Sequence, residues 1–223
     1  MEQPASPRST YHHGNLRAAM IEATLQLIDE KGPDNITVSD AAKRAGVSSG
    51  APFRHFASKI ELMTAVAEVL QNELLERMEI AYGIGTDPWE TLFSLGLAYM
   101  TWGLENPARF RTYSNRNLYD FNSSDILREG SERMNWLVES TFLSVLPENP
   151  IQKERARRLN IHARALITGL VNLYCYGLFP HIGVVGEEPL VTLRKSWQGF
   201  LRTVRFTLDD RPTETGFYTL FGE

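Results

Sequence analysis

Residues 37–59 read TVSDAAKRAGVSSGAPFRHFASK. The hydroxyl of Thr37 can accept from the orphan N–H groups of a helix start, and Asp40 follows at the three-residue spacing of a capping box. The helix so opened ends near Ala45-Gly46. Val47 and the pair Ser48-Ser49 lead into a second short helix that runs through Phe56. With Ser49 as its cap, Pro52 falls at the third helical position, where the missing N–H has no intrahelical partner to lose. Ser58-Lys59-Ile60-Glu61 is a full S-x-x-E start for a third helix. A helix of eight or nine residues, a tight turn holding Gly46, and a second short helix with a small, polar start is the spacing of a helix-turn-helix unit.

Outward from this segment the chain stays helical. Upstream, Asn15 can cap a helix that puts Leu16, Met20, Ala23 and Leu27 on one face and stops at Lys31-Gly32-Pro33, with Gly32 as a natural C′ residue. Downstream, Leu62, Val66, Leu70, Leu74 and Met78 recur at four-residue steps until Gly83-Ile84-Gly85. Asp87-Pro88-Trp89-Glu90 combines an N-cap, a proline at N1 and a glutamate at N3, opening a helix to Asn106-Pro107. A short helix over 107–113, a polar loop over 115–124 and a helix over 125–146 follow. The fold expected is all-α: an arm (1–13), a three-helix helix-turn-helix domain (14–60), a larger helical domain (61–208), and a tail (209–223).

The last two helices carry the remaining apolar residues. From Leu159, Ala163, Leu166, Leu170, Leu173 and Gly177 alternate four- and three-residue steps, the seam of a helix packed along another helix. Beyond Ala165 the other faces are apolar too, and a helix apolar all round must be covered on all sides. Leu190, Leu193, Trp197, Leu201, Val204 and Leu208 form the stripe of the final helix. A four-helix bundle of two such helices per subunit would cover both, so a homodimer is expected, with Leu166, Leu170, Leu173, Gly177, Leu193, Trp197, Leu201 and Val204 at its interface. Packing within one core is the alternative for the same seam.

Composition agrees with a folded chain of ordinary type: 223 residues, 43% hydrophobic and 22% charged. One cysteine, Cys175, cannot form an internal disulfide, and the start MEQPASPRST lacks a signal-peptide pattern, so a reducing cytoplasm is the expected location. Residues 165–186 contain no Asp, Glu, Lys or Arg. Asn172, Pro180, His181 and the turn-like end of that stretch mark a buried helix rather than a membrane span.

The net charge of −4 hides an asymmetry. Residues 1–60 sum to +1 and residues 61–223 to −5, while residues 37–59 hold Lys43, Arg44, Arg54 and Lys59 against Asp40 alone. In helix-turn-helix geometry the second helix enters the major groove with its N-terminal residues at base edges. Here those residues are Ser48, Ser49, Gly50 and Ala51, small enough for close approach. The helix starts at Thr37 and Ser58 can turn N–H groups toward phosphates, and the four cations supply screened attraction. Phe53 and Phe56 share one helix face, which suits the three-helix core better than base stacking.

Thr37-Val38-Ser39-Asp40-Ala41-Ala42, Ala45-Gly46-Val47-Ser48, Phe53-Arg54-His55-Phe56 and Ser58-Lys59 resemble the TetR/AcrR family signature in order and spacing. Tyr11-His12-His13-Gly14-Asn15-Leu16-Arg17 and residues 50–56 also resemble the branch whose C-terminal domain is named for a Trp-His-Gly motif. The literal triplet is absent, with Thr168-Gly169 or Tyr176-Gly177 in its place. The resemblance covers about residues 11–70. It implies a dimeric, ligand-responsive transcriptional regulator, usually a repressor, that binds an inverted-repeat operator in double-stranded DNA. It implies further that Thr37 and Lys59 touch phosphates, that His55 lies near the DNA backbone, and that Ser49, Gly50 and Ala51 face bases. Where many members carry tyrosine this chain has Phe53, which keeps the packing but has no hydroxyl for a phosphate.

The aromatic-rich middle of the chain suits a small apolar or aromatic effector. Phe110, Tyr113, Trp136, Asn172 and Tyr176 are the expected pocket residues, mixing apolar walls with polar handles. No G-x-S-x-G, HExxH or P-loop pattern occurs, and Gly83-Ile84-Gly85 meets Pro88 where a dinucleotide fingerprint needs its third glycine. His12, His13, His162, His181 and Cys175 lack ligand spacing, so no metal, cofactor or catalytic residue is expected. A small-molecule carrier without DNA function is the alternative reading.

Overall fold

The computed structural model describes residues 16–47 and 54–209. Among them lie eight α-helices and one short 3-10 turn: α1 (Leu16–Lys31), α2 (Val38–Arg44), α3 (Lys59–Ile84), α4 (Pro88–Glu105), α5 (Pro107–Ser114), α6 (Asp125–Val145), α7 (Gln152–Cys175), the turn Phe179–Ile182, and α8 (Pro189–Asp209). The arm, the Asn15 cap, the helix start at Ser48–Phe53 and the tail beyond Asp209 lie outside the described residues.

Local chemistry sets most helix ends. Thr37 Oγ1 accepts from the Asp40 N–H at 3.1 Å while the Asp40 carboxylate accepts from the Thr37 N–H at 3.0 Å, a closed capping box. Ser58 Oγ accepts from the Glu61 N–H at 3.2 Å, but the Glu61 carboxylate reaches one residue further back, to the Ala57 N–H at 2.7 Å. Asp87 Oδ1 accepts from Trp89 and Glu90 N–H groups ahead of Pro88. Gly32 and Gly46 end α1 and the α2 turn at φ +76° and +69°, the left-handed region that a side chain disfavours.

α1, α2 and the start of α3 share a small core in which Met20, Ile28, Ala41, Phe56, Leu62 and Met63 are buried. The guanidinium of Arg17 lies 5.6 Å above the Phe56 ring. α3 then leaves this core and runs its stripe of Leu70, Leu74 and Met78 against α4 and α6. In the larger domain α4 is central, packed on α3, α6, α7 and α8. Its Trp102 meets Phe110 and Tyr113 edge-on, with ring centroids 6.2 Å apart in both pairs. Burying side chains of this size contributes about 1.5–3 kcal/mol each, so the aromatic cluster at α4 and α5 is a principal source of stability.

The apolar stripes of the last two helices divide. Leu193, Trp197, Leu201 and Val204, expected at the dimer interface, are buried within the subunit itself. Gly96 explains the inward turn of Trp197: a Cβ there would lie 2.4 Å from the indole, so only a glycine lets the ring lie on α4. The indole N–H then donates to the Phe93 carbonyl at 3.1 Å. Leu166, Leu170 and Leu173 are half-buried and Gly177 is exposed, beside exposed Ala165 and Gly169. Among the described residues no helix is long and apolar enough to cross a membrane.

Candidate nucleic-acid interface

The basic segment lies at the outer end of the smaller domain. Thr37, Lys43, Arg44, Arg54 and His55 are exposed and Lys59 is half-buried. Of the residues expected at DNA, Ser48, Ser49, Gly50, Ala51 and Phe53 lie outside the described residues.

The cations are not equivalent. Arg44 makes a two-pronged bond to the Glu30 carboxylate of α1, at 2.7 and 2.6 Å. That bond lowers the pKa of Glu30 and raises that of Arg44. Lys59 Nζ donates to the Asp34 carbonyl at 3.3 Å, pinning the start of α3 to the loop between α1 and α2. Lys43 and Arg54 make no ion pair among the described residues, so their charge is available to a polyanion without breaking a bond. Thr37 is committed to its box with Asp40.

Behind this face the two domains are joined by charge. Arg109 of α5 donates from Nε and Nη2 to Asp29 of α1 and from Nη1 to Glu73 of α3, at 2.8 to 3.0 Å for the shortest bond of each nitrogen. Arg17 of α1 lies 3.7 Å from Glu68 of α3, and the same Glu68 accepts from Ser124 Oγ at 2.7 Å. The Arg109 contacts thus tie α1 to both α3 and α5.

The larger domain holds a small cavity of about 40 Å³ that opens to the surface. Met78, Leu92, Leu95 and Gly96 line it from α3 and α4, together with Tyr99, whose hydroxyl shares a 3.2 Å hydrogen bond with Thr168. Burial pushes the Tyr99 pKa up. Met134, Asn135 and Val138 of α6, Asn160, Ala163, Arg164 and Ile167 of α7, and Trp197 of α8 complete the wall.

None of the five expected pocket residues is part of this wall. Phe110 and Tyr113 are fully buried in the aromatic cluster, where the Tyr113 hydroxyl donates to buried Gln71 at 3.1 Å. Trp136 is exposed on α6 under the Arg133 guanidinium, Asn172 is half-buried on α7, and Tyr176 is exposed beyond the end of α7. Sequence reasoning missed Asn135, Asn160 and Arg164, and placed Trp197 at the dimer face. One signal was present: Asn160 and Arg164 stand one turn apart beside Ala163 and Ile167, a polar pair on an otherwise inward face. Among the described residues no group of three or more His, Cys, Asp or Glu is placed to hold a metal ion.

Residues 20–66 match the family described as bacterial regulatory proteins, tetR family. The chain is 26% identical over 153 residues to the nucleoid occlusion factor SlmA of Haemophilus influenzae strain PittGG, covering 69% of this chain and 68% of that one. Its fold is similar to a protein of unknown function from Rhodococcus sp. RHA1, with a TM-score of 0.71 at 20% identity, covering 88% of this chain and 98% of that one. A bacterial regulatory protein in the tetR family from Rhodococcus RHA1 aligns with a TM-score of 0.64 at 17% identity, covering 84% and 96%. The family match falls on α1, the capped α2 with its flanking cations and the start of α3, so residues 20–66 form a DNA-binding domain of the tetR type, and the helical fold of the whole is similar to that of the solved structures.

Proposed function

We propose that the chain acts in the cytoplasm as a homodimer that binds an inverted-repeat operator and represses the neighbouring genes until a small apolar or aromatic effector enters the cavity. The observation that carries the reading is that the family match spans the basic segment, whose Lys43 and Arg54 are exposed and unpaired among the described residues. In this reading Ser48, Ser49, Gly50 and Ala51 face bases. Thr37, Lys43, Arg44, Arg54, His55 and Lys59 face the phosphate backbone. For Arg44 to bind a phosphate it exchanges Glu30 for that phosphate.

The dimer is formed by the face of α7 around Leu166, Leu170, Leu173 and Gly177, where the exposed small residues Ala165 and Gly169 allow close approach of a second α7. Effector response is a population shift. Two recognition helices must meet major grooves about 34–36 Å apart, and a ligand that prefers another subunit geometry lowers DNA affinity by its own preference. The Asp29–Arg109–Glu73 contact supports this coupling, since it ties α1 to α3 and α5.

Selection of bound sequences from a random duplex-DNA library with the purified full chain tests the reading. The expected result is an enriched inverted repeat with groove-spaced half-sites. No enrichment, and no binding even at low salt, overturns it and favours a carrier without DNA function.

A further inference from the structure

The cavity wall is chemically lopsided. Among the residues lining it, Arg164 is the single charged group, and the polar groups nearest to it in the wall are the amides of Asn135 and Asn160. Elsewhere on α7, Arg157 and Arg158 both grip Glu154. Arg164 has no carboxylate partner among the described residues; it donates from Nη1 to the amide oxygen of Asn135 at 3.1 Å. That oxygen also accepts from Asn160 Nδ2 at 3.3 Å, and Asn160 Nδ2 donates as well to Glu139 at 2.9 Å. Glu139 is thus held from outside the wall, while the Asn135 amide oxygen is occupied and its NH2 is left as a donor. A guanidinium has five N–H donors and accepts nothing. Around Arg164 the wall offers donors and one positive charge; the Tyr99 hydroxyl is shared with Thr168, and Leu92, Leu95 and Ile167 offer only hydrocarbon.

A neutral ligand filling such a cavity would strip water from a guanidinium and put nothing in its place, a desolvation penalty that burial of the ligand's apolar body must overcome. A carboxylate replaces that water with charge-assisted hydrogen bonds, which offset the penalty along with its own desolvation. One arginine without a lysine or second cation matches one negative charge, and the planar fork of guanidinium N–H groups fits a carboxylate. The cavity of about 40 Å³ must widen to take a tail, and Met78 and Met134, flexible and unbranched, let its apolar wall adjust.

We infer that the effector is a monocarboxylic acid with an aliphatic or arylalkyl body, its carboxylate held by Arg164 and Asn135 and its tail lying among Leu92, Leu95 and Ile167. This rests on the reading that the cavity is the effector site. The test is titration of the full-chain protein, by tryptophan fluorescence and calorimetry, with octanoate, decanoate, 4-phenylbutyrate and indole-3-acetate, each beside its primary amide. At least one acid binds about tenfold or more tighter than its amide, the factor that a charge-assisted hydrogen bond supplies. Arg164→Gln reduces the preference to about twofold or less, and Arg164→Lys, which keeps the charge without the fork, retains part of it. If Arg164→Gln does not fold, Asn135→Leu is read the same way, weakening the acids more than the amides. Amides that bind as well as acids, a preference that survives in folded Arg164→Gln, or no binding by any acid of the panel overturns the inference. Operator binding by the same ligand-free preparation is measured in parallel: its retention alongside such a failure overturns the ligand class alone, and its loss overturns the regulator reading.

Discussion

Arg109 of α5 holds Asp29 of α1 with two nitrogens, Nη2 at 2.8 Å and Nε at 3.0 Å, across 80 residues of sequence. Its third nitrogen is on Glu73 of α3, so one side chain joins the DNA-binding core to the body of the larger domain. Hydrogen bonding to Asp29 raises the pKa of Arg109, and the side chain is only 22% exposed. Because both carboxylates are partly in water, screening keeps the effect modest: Arg109→Ala should cost about 1–2 kcal/mol. Thermal unfolding in low and high salt measures it, and a melting temperature unchanged at both would contradict the clamp.

Gly96 and Trp197 yield the sharpest steric prediction. Gly96→Ala gains about 0.5–1 kcal/mol of helix propensity, but the new Cβ meets the indole at 2.4 Å. The ring cannot retreat without losing its hydrogen bond to Phe93 and its stacking on Phe200, 5.3 Å away between centroids. Overpacking costs about 1–3 kcal/mol, so the net effect is destabilising, with a shift in tryptophan emission. A stabilised Gly96→Ala protein would refute the packing.

Gln71 is fully buried on α3 and ties three segments together. It accepts from Tyr113 of α5 at 3.1 Å and donates to the Ile126 carbonyl of α6 at 3.0 Å. Gln71→Leu keeps the approximate volume but strands both partners, at about 2–4 kcal/mol for two unsatisfied groups. A Cβ on Gly130 would lie 2.2 Å from Gln71 Nε2, so Gly130→Ala should destabilise through the same contact. Urea denaturation of both variants checks this, and wild-type midpoints would exclude it.

Acid should loosen α2. Hydrogen bonds from Thr37, side chain first and backbone second, hold the Asp40 carboxyl below its ordinary value of 3.8. A depressed folded value means that the stabilisation is complete above the unfolded value and drains away as pH falls through the folded one. The cap of α2 is therefore intact at neutral pH, begins to weaken as pH falls below the unfolded value of about 4, and is lost at lower pH as the folded carboxyl protonates. Backbone amide signals of residues 37–45, followed by NMR from pH 6 to 2.5, should report the loss in wild type and show Asp40→Asn already weakened at pH 6. Signals indifferent to both changes would rule out the box as the source of order.

On α7, a Cβ at Gly169 meets nothing within 4 Å, and the position is exposed. Gly169→Arg should leave the melting temperature of the subunit near wild type yet convert dimer to monomer in sedimentation experiments, with a parallel loss of operator affinity. A dimer of unchanged stability would move the interface off this face.

Helix ends were readable in the sequence because caps act over three or four residues. Thr37 with Asp40, Ser58 with Glu61 and Asp87 with Glu90 each state locally where a helix begins, and the structure has helices starting at Val38, Lys59 and Pro88. Order and spacing around Gly46 likewise sufficed to recognise the helix-turn-helix unit. The inward or outward sense of a side chain was another matter. Trp197 and Trp136 are both tryptophans on amphipathic helices, yet Gly96 opens room for the first to turn onto α4, while the second, against Tyr82 of α3 and Arg133, is left half exposed.

The sequence by itself therefore determined the all-α class, the caps at Thr37, Ser58 and Asp87 and the type of the DNA-binding domain, since each depends on neighbours a few residues apart. Only the tertiary structure decided that Leu193, Trp197, Leu201 and Val204 are buried in the subunit's own core and that Asn135 and Arg164 meet in the wall of a cavity. Those outcomes depend on how α4, α6, α7 and α8 stack, which is settled by the shapes of side chains far apart in the chain, and no local pattern encodes that geometry.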